Sequence, residues 1–401
     1  TPWDTGEAPG LATKGHNVKL THIAITNWRN FAHIEFDLSS RLFVVGPNSS
    51  GKTNLLGALR FLGDIGRRGL VAASEDLGGP DRYFRSGADS AAFVATFNDT
   101  QNSAEFALFL RLMSAGPKST KRGSDADQTF AFPMTDPLTG EPNDRYLDVH
   151  QTITAGGKKP ADEGESFPVE DEEAQRTRVR QTLAGIRYIH PNPKKMLERS
   201  DRYDPDHGTG FFQHVGRFSD QQLDAVVDRI RPIMASVVPE IPNLSYQRMG
   251  LGTEVVFYSD TPVRGASGVY SHEQFSEGTL RLLGMLFDLA TLPRDTSVVL
   301  IEEPETFLQA SVVRSLPSLL AEVAMNRDVQ MVISTHSPEL IDSELVLPSQ
   351  VLMLRSENGE TTGELLSESN DPRIKAVVSA GLPKSQGIDA VNGRTIPLGT
   401  W

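Results

Sequence analysis

Apolar residues fall along this chain in three patterns, and each predicts a different element. Unbroken runs at Leu42-Phe43-Val44-Val45 and Val298-Val299-Leu300-Ile301, with a third apolar segment from Val329 to Ile333, have the length of strands buried on both faces. Alternation at Ile34, Phe36 and Leu38 predicts a half-exposed strand. Strand-like stretches at Ala92 to Phe97 and Ala104 to Leu112 suit an antiparallel sheet beside the core, and briefer ones occur at Thr129 to Phe132 and Leu147 to Ile153. Helical spacing appears at Leu55, Ala58, Leu59 and Leu62, and at Leu223, Val226, Val227 and Ile230. The second of these helices opens on Ser219-Asp-Gln-Gln222, a capping-box pattern, and Pro232 should kink or end it. Between Lys52 and Ser276 no heptad repeat persists, so long coiled-coil arms are not expected.

The polar residues that punctuate these runs carry the candidate chemistry. The first buried strand ends in Gly46-Pro-Asn-Ser-Ser-Gly51-Lys52-Thr53, immediately before the first helix. Glycines permit a tight turn whose N–H groups aim at an anion, and the new helix adds its positive end. Lys52 would reach terminal phosphates and the Thr53 hydroxyl would ligate magnesium, which makes this a nucleoside-triphosphate loop rather than a plain glycine turn. The second strand runs into Glu302-Glu303-Pro304-Glu305. Glu302 is the candidate for the magnesium shell and Glu303 for polarising the attacking water, with an ordinary acidic strand end as the alternative. The third delivers Ser334-Thr335-His336-Ser337-Pro338, where His336 could bond a γ-phosphate or the water. Between them, Phe275-Ser276-Glu277-Gly278-Thr279-Leu280-Arg281 starts a helix continued by Leu283 and Phe287, with Ser276 as its N-cap.

In this order and spacing the four segments resemble the ABC-type ATPases, specifically the soluble branch that includes RecF, SMC proteins and the ATPase domains of OLD-type defence proteins. The block Ile23-Ala-Ile-Thr-Asn-Trp28-Arg29-Asn30-Phe31 also looks like the strand and turn before the phosphate loop in RecF and SMC heads. The resemblance spans residues 17 to 100 and 245 to 356, and it implies an α/β P-loop NTPase fold with a mixed sheet core, an antiparallel β subdomain and a helical lobe. It further implies ATP and Mg2+ as cofactors, held by Arg29, Asn30, Gly46, Asn48, Ser49, Ser50, Gly51, Lys52, Thr53 and Asn54. Thr53 and Glu302 would take the metal, while Glu303, His336 and Lys52 would be catalytic. Ser276, Glu277 and Gly278 would contact ATP held by a second subunit, so a head-to-tail homodimer or a higher even-numbered oligomer is expected. Two features depart from the family pattern: Glu302 stands where Asp is usual, and no convincing glutamine marks the loop that senses the γ-phosphate. The strand Ala92 to Phe97 is preceded by Arg85-Ser-Gly-Ala rather than by glutamine, which leaves Gln101 as a weak candidate.

Composition then narrows the setting. With 401 residues and 38% hydrophobic content, the chain can bury one large domain with added lobes. We expect a tail over residues 1–16 that is disordered, half of the ATPase head over 17–112, an inserted lobe with mobile loops over 113–245, the second half of the head over 246–356 and an extension over 357–401. The absence of cysteine excludes thiolate metal sites and disulfides. No apolar run has membrane-spanning length, and the start lacks a signal peptide's pattern, so the expected setting is cytoplasmic, without a membrane partner.

A net charge of −13 opposes unaided binding of polyanions. Any DNA contact would have to be local. The candidate is a basic block of Arg176, Arg178, Arg180, Arg187, Lys194, Lys195, Arg199 and Arg202, next to an acidic run at 162–173; the competing reading is a solvated face paired with its acidic neighbour. Lys121-Arg122 adds nothing to this. The expected function is an ATPase whose nucleotide-dependent dimer controls a separate effector, a nuclease or toxin, or DNA, in antiphage defence or DNA repair. A competing class is a low-turnover sensor that clamps ATP and holds an effector. A transporter's nucleotide-binding subunit is a remote alternative, because its Leu-Ser-Gly-Gly-Gln signature is missing.

Overall fold

A computed structural model describes residues 18–77, 80–99, 104–115, 128–135, 142–155, 172–250, 254–259, 270–357 and 359–392. The expected tail at 1–16, Gln101, Lys121-Arg122 and most of the acidic run fall outside these residues.

The central sheet has the order β15-β14-β3-β13-β12-β8. Its strands are β3 (Arg41–Val45), β8 (Ile186–Ile189), β12 (Val298–Glu302), β13 (Gln330–Ser334), β14 (Val351–Glu357) and β15 (Glu360–Leu365). All neighbours are parallel except β14 and β15. The two unbroken apolar runs and the segment Val329 to Ile333 supply inner strands of this sheet. Alternate residues split between two cores: Leu42, Val44, Val298, Leu300 and Val332 face one, and Phe43, Val45, Val299, Ile301 and Ile333 face the other. A strand covered on both faces needs apolar residues at every position, which is why these segments do not alternate.

The helix Lys52–Arg68 covers the first face, burying Leu55, Ala58, Leu59 and Leu62 together with Phe61. Beyond it lies a wholly antiparallel sheet of order β2-β1-β4-β5-β7-β6, formed by β1 (Val18–Trp28), β2 (Phe31–Asp37), β4 (Ser90–Asp99), β5 (Ala104–Ala115), β6 (Gln128–Thr135) and β7 (Pro142–Ala155). Trp28 joins sheet to helix: its ring stacks on Phe61 at 5.3 Å and meets Phe93 edge-on at 5.1 Å. The segment 113–245 supplies strands to both large sheets, since β6 and β7 extend the antiparallel one and β8 edges the central one.

The second face is covered by helices that include Asp220–Val237 and Glu277–Ala290. The capping box at Ser219 and Gln222 is formed, and the helix continues through Pro232 to Val237. A small antiparallel sheet, β9 (Leu244–Met249), β10 (Glu254–Ser259) and β11 (Tyr270–Ser271), packs beside them. Here His272 is buried, stacked on Phe212 at 3.7 Å, and accepts a hydrogen bond from the Phe257 N–H at 3.1 Å. Burial pushes its pKa down to about 4. Because the folded-state value lies below the unfolded one, this histidine stabilises the fold above about pH 6.5, and the contribution is lost as pH falls towards 4. Thermal melts between pH 7 and pH 4 should show a falling midpoint, with a shallower fall in His272→Phe; equal slopes would disprove the assignment.

Candidate nucleotide-binding site

Register brings the candidate residues together. Val44 lies opposite Ser334, and Ser334 opposite Glu302, so β3, β13 and β12 end at one level. The loops that follow them carry residues 46–53, His336 and Glu303. The carboxyl ends of parallel strands are where open α/β sheets bind ligands. Backbone bonds fix the three loops: the Glu303 N–H donates to the Ser334 carbonyl at 2.9 Å, and the Thr335 N–H to the Val44 carbonyl at 3.0 Å.

In the 46–53 loop, Gly51 has φ +98°, and a Cβ there would sit 2.3 Å from the Asn30 side-chain nitrogen. Only glycine fits. Lys52, 5% exposed, folds back so that its Nζ donates to the carbonyls of Gly46 and Pro47, each at 3.1 Å. Asn30 Nδ2 approaches the Ser50 carbonyl at 3.4 Å, and Asn54 bridges Asn30 (2.6 Å) to Arg29 (2.9 Å). Arg29 and Asn30 thus brace the loop from the β1–β2 turn. Asn48 and Ser49 are exposed on the loop, while Ser50 is buried with its hydroxyl unpartnered among the described residues.

The Thr53 hydroxyl donates to Glu302 Oε1. A hydroxyl and a carboxylate are the oxygen donors a hard divalent cation takes. Among the described residues no group of three His, Cys, Asp or Glu could hold a metal alone. A magnesium ion here would therefore draw its remaining ligands from phosphates and water, as that ion usually does.

Glu303 sits at φ +44°, a left-handed conformation rare for a residue with a side chain. Its carboxylate accepts from the Thr306 hydroxyl at 3.3 Å and lies 3.3 Å from His336 Nε2. Both side chains are about one-third exposed, so water can reach the pair.

Four residues of this site had no role in the sequence reading. Arg281, 4% exposed, donates to the carbonyls of Pro191 (3.1 Å), Glu302 (2.9 Å) and Glu303 (3.0 Å). Burial lowers its pKa, against the raising effect of Glu305, Glu303 and Glu302. It therefore ties the Ser276 helix to the backbone of the paired glutamates. Its signal was a lone cation in the apolar run Leu280 to Leu283. Glu305 accepts from the Thr335 hydroxyl (2.8 Å) and the His336 N–H (2.7 Å), and burial raises its pKa. Tyr188 donates its phenol to Glu302 Oε2, and His190 Nδ1 meets the Glu302 carbonyl at 3.2 Å. Nothing in the sequence placed β8 beside β12.

The Ser276 helix opens elsewhere. Ser276 is the N-cap, accepting from the Thr279 N–H at 3.2 Å, and it lines a pocket with Gly278, Tyr270, Phe307 and Val312, separate from the one at Gly46 and His336. A Cβ on Gly278 would lie 2.2 Å from the Phe307 carbonyl oxygen, so packing within the chain already demands glycine there. Glu277 is exposed, 3.9 Å from Lys194. The helix Lys384–Asn392 lines the other pocket through Ser385, Ile388, Asp389 and Asn392, beside Gly46 and His336.

Arginines of the basic block are paired with acids: Arg178 with Asp99, Arg187 with Asp295 and Arg199 with Glu254. No helix among the described residues is long and apolar enough to cross a membrane.

Comparison with known proteins agrees with this arrangement. Over 71 residues the chain is 38% identical to the DNA replication and repair protein RecF of Rhizobium meliloti (strain 1021), a match covering 17% of this chain and 19% of that relative. An SMC head solved bound to the C-winged helix domain of ScpA superposes over 86% of this chain and 97% of its own, with a TM-score of 0.53 at 13% identity. The SMC head domain from Thermotoga maritima covers 86% of this chain and 98% of its own, with a TM-score of 0.46 at 15% identity. A family model described as "AAA domain, putative AbiEii toxin, Type IV TA system" matches residues 42–342, and the chain belongs to that family.

Proposed function

We propose that this chain binds ATP with magnesium and hydrolyses it, and that two copies close around the nucleotide and control a partner. The observation that carries the reading is the convergence of Lys52, Thr53, Glu302, Glu303 and His336 at the ends of three adjacent parallel strands. Lys52 and the loop amides hold the phosphates, Thr53 and Glu302 the metal, and Glu303 the attacking water, with His336 at the γ-phosphate. Arg29 and Asn30 brace the loop.

Ser276, Glu277 and Gly278 serve the nucleotide of the second copy. That role is supported by Ser276 and Gly278 lining a pocket separate from the one at their own phosphate loop, at a capped helix N-terminus suited to an anion. The partner is an effector protein such as a nuclease or toxin, or DNA, in antiphage defence or DNA repair. The similar SMC head was solved with a domain of ScpA bound, and the matching stretch of RecF belongs to a DNA repair protein. Pairing of the basic block with acids favours a protein partner over DNA at that surface. A sensor that clamps ATP with little turnover is the second reading, favoured by the longer Glu302 at the metal position.

Fluorescent ATP analogue titrated into the purified chain should bind with magnesium present. Lys52→Ala should weaken binding by at least about tenfold, the loss of one charge-assisted contact. Absence of binding by the unaltered chain would defeat the proposal, and phosphate release separates hydrolase from clamp.

A further inference from the structure

Glu302 is one methylene longer than the aspartate its position usually carries, and an extra rotatable bond lets a carboxylate wander unless both oxygens are held. Both are held here. Thr53 donates to Oε1 and Tyr188 to Oε2, while Glu302 itself is 8% exposed. Resting on the nucleotide reading above, we propose that Tyr188 is a positioning residue that fixes the longer Glu302 carboxylate for a divalent cation.

Two features set the phenol there. Tyr188 lies opposite Leu300 in the β8–β12 register, so its side chain shares the sheet face of Leu300 and Glu302, which sit two residues apart. The Arg60 guanidinium lies 5.2 Å from the centre of the Tyr188 ring and is itself paired with Asp206. Arg60 is seven residues after Thr53 on one helix, which puts the two on the same face two turns apart. One rigid helix therefore sets both clamps on the carboxylate. Without the phenol donor, Oε2 would be an unpaired buried acceptor free to turn away from Thr53.

The test uses Tyr188→Phe, which keeps the ring under Arg60. Affinity for fluorescent ATP is measured against magnesium concentration and in EDTA, and bound Mn2+ is counted by electron paramagnetic resonance, so no readout needs turnover. The expected result is an increase of about tenfold in the magnesium and manganese concentrations needed, with ATP affinity in EDTA unchanged. In a Glu302→Asp background the same substitution should shift metal affinity by less than about twofold, because the shorter carboxylate cannot reach the phenol. Metal affinity unmoved by Tyr188→Phe, or moved equally in both backgrounds, would overturn the assignment. A wild-type chain whose ATP binding ignores magnesium altogether would instead bring down the nucleotide reading, and this inference with it.

Discussion

Glu303→Gln should lower ATP turnover by about 10²- to 10³-fold while leaving ATP affinity within a few fold of wild type. The amide is nearly isosteric and can still accept from Thr306, but it cannot take a proton from water. The backbone should not move, because it does not depend on the carboxylate. The Glu303 N–H is bonded to Ser334 and its carbonyl to Arg281, which together hold the residue at φ +44°. With the base gone, ATP persists, and a nucleotide-closed dimer should accumulate. Light scattering should then give twice the monomer mass with ATP and the monomer mass without it. Unchanged turnover would remove Glu303 from the mechanism, and an unchanged mass would remove the ATP-closed dimer.

The second large effect concerns stability and lies at Arg281. Arg281→Met should destabilise the fold by about 3 kcal/mol, because the thioether fills similar space but leaves the buried Pro191 carbonyl without its donor and strips one of two donors from each of the Glu302 and Glu303 carbonyls, which keep His190 and the Thr306 N–H. Part of that loss is offset, since a buried guanidinium is costly to hold, as its lowered pKa reflects. The balance still favours arginine: three backbone acceptors and three nearby glutamates all lose the same cation. Urea denaturation should show a lower midpoint with an unchanged slope. A shift worth less than about 1 kcal/mol would mean that water replaces the guanidinium at these carbonyls.

Much of the core was legible before any coordinates. The phosphate loop, its strand and its helix occupy a continuous stretch from Leu42 to Leu62, and their signals are local: an apolar run, a glycine turn and a helical stripe. The capping box at Ser219 and the N-cap at Ser276 were equally local, since their bonds span three residues. Pro232 was harder. The helix runs through it to Val237, its apolar face held in the core. The basic block showed as charge, but its ion pairs did not, because Asp99, Asp295 and Glu254 come from three distant parts of the chain.

By itself, then, the sequence determined the strands and helices that carry the phosphate loop, the paired glutamates and the two helix caps, and which residue types stand at their ends. These properties depend on neighbours a few positions away, where periodicity, glycine and caps act. Only the tertiary structure decided that β8 lies against β12, that Tyr188 reaches Glu302, and that Arg281 spans from its helix to the glutamate backbone. The pairing of β8 with β12 joins residues more than a hundred positions apart, and a side chain's partner across that distance leaves no periodic trace in its own segment.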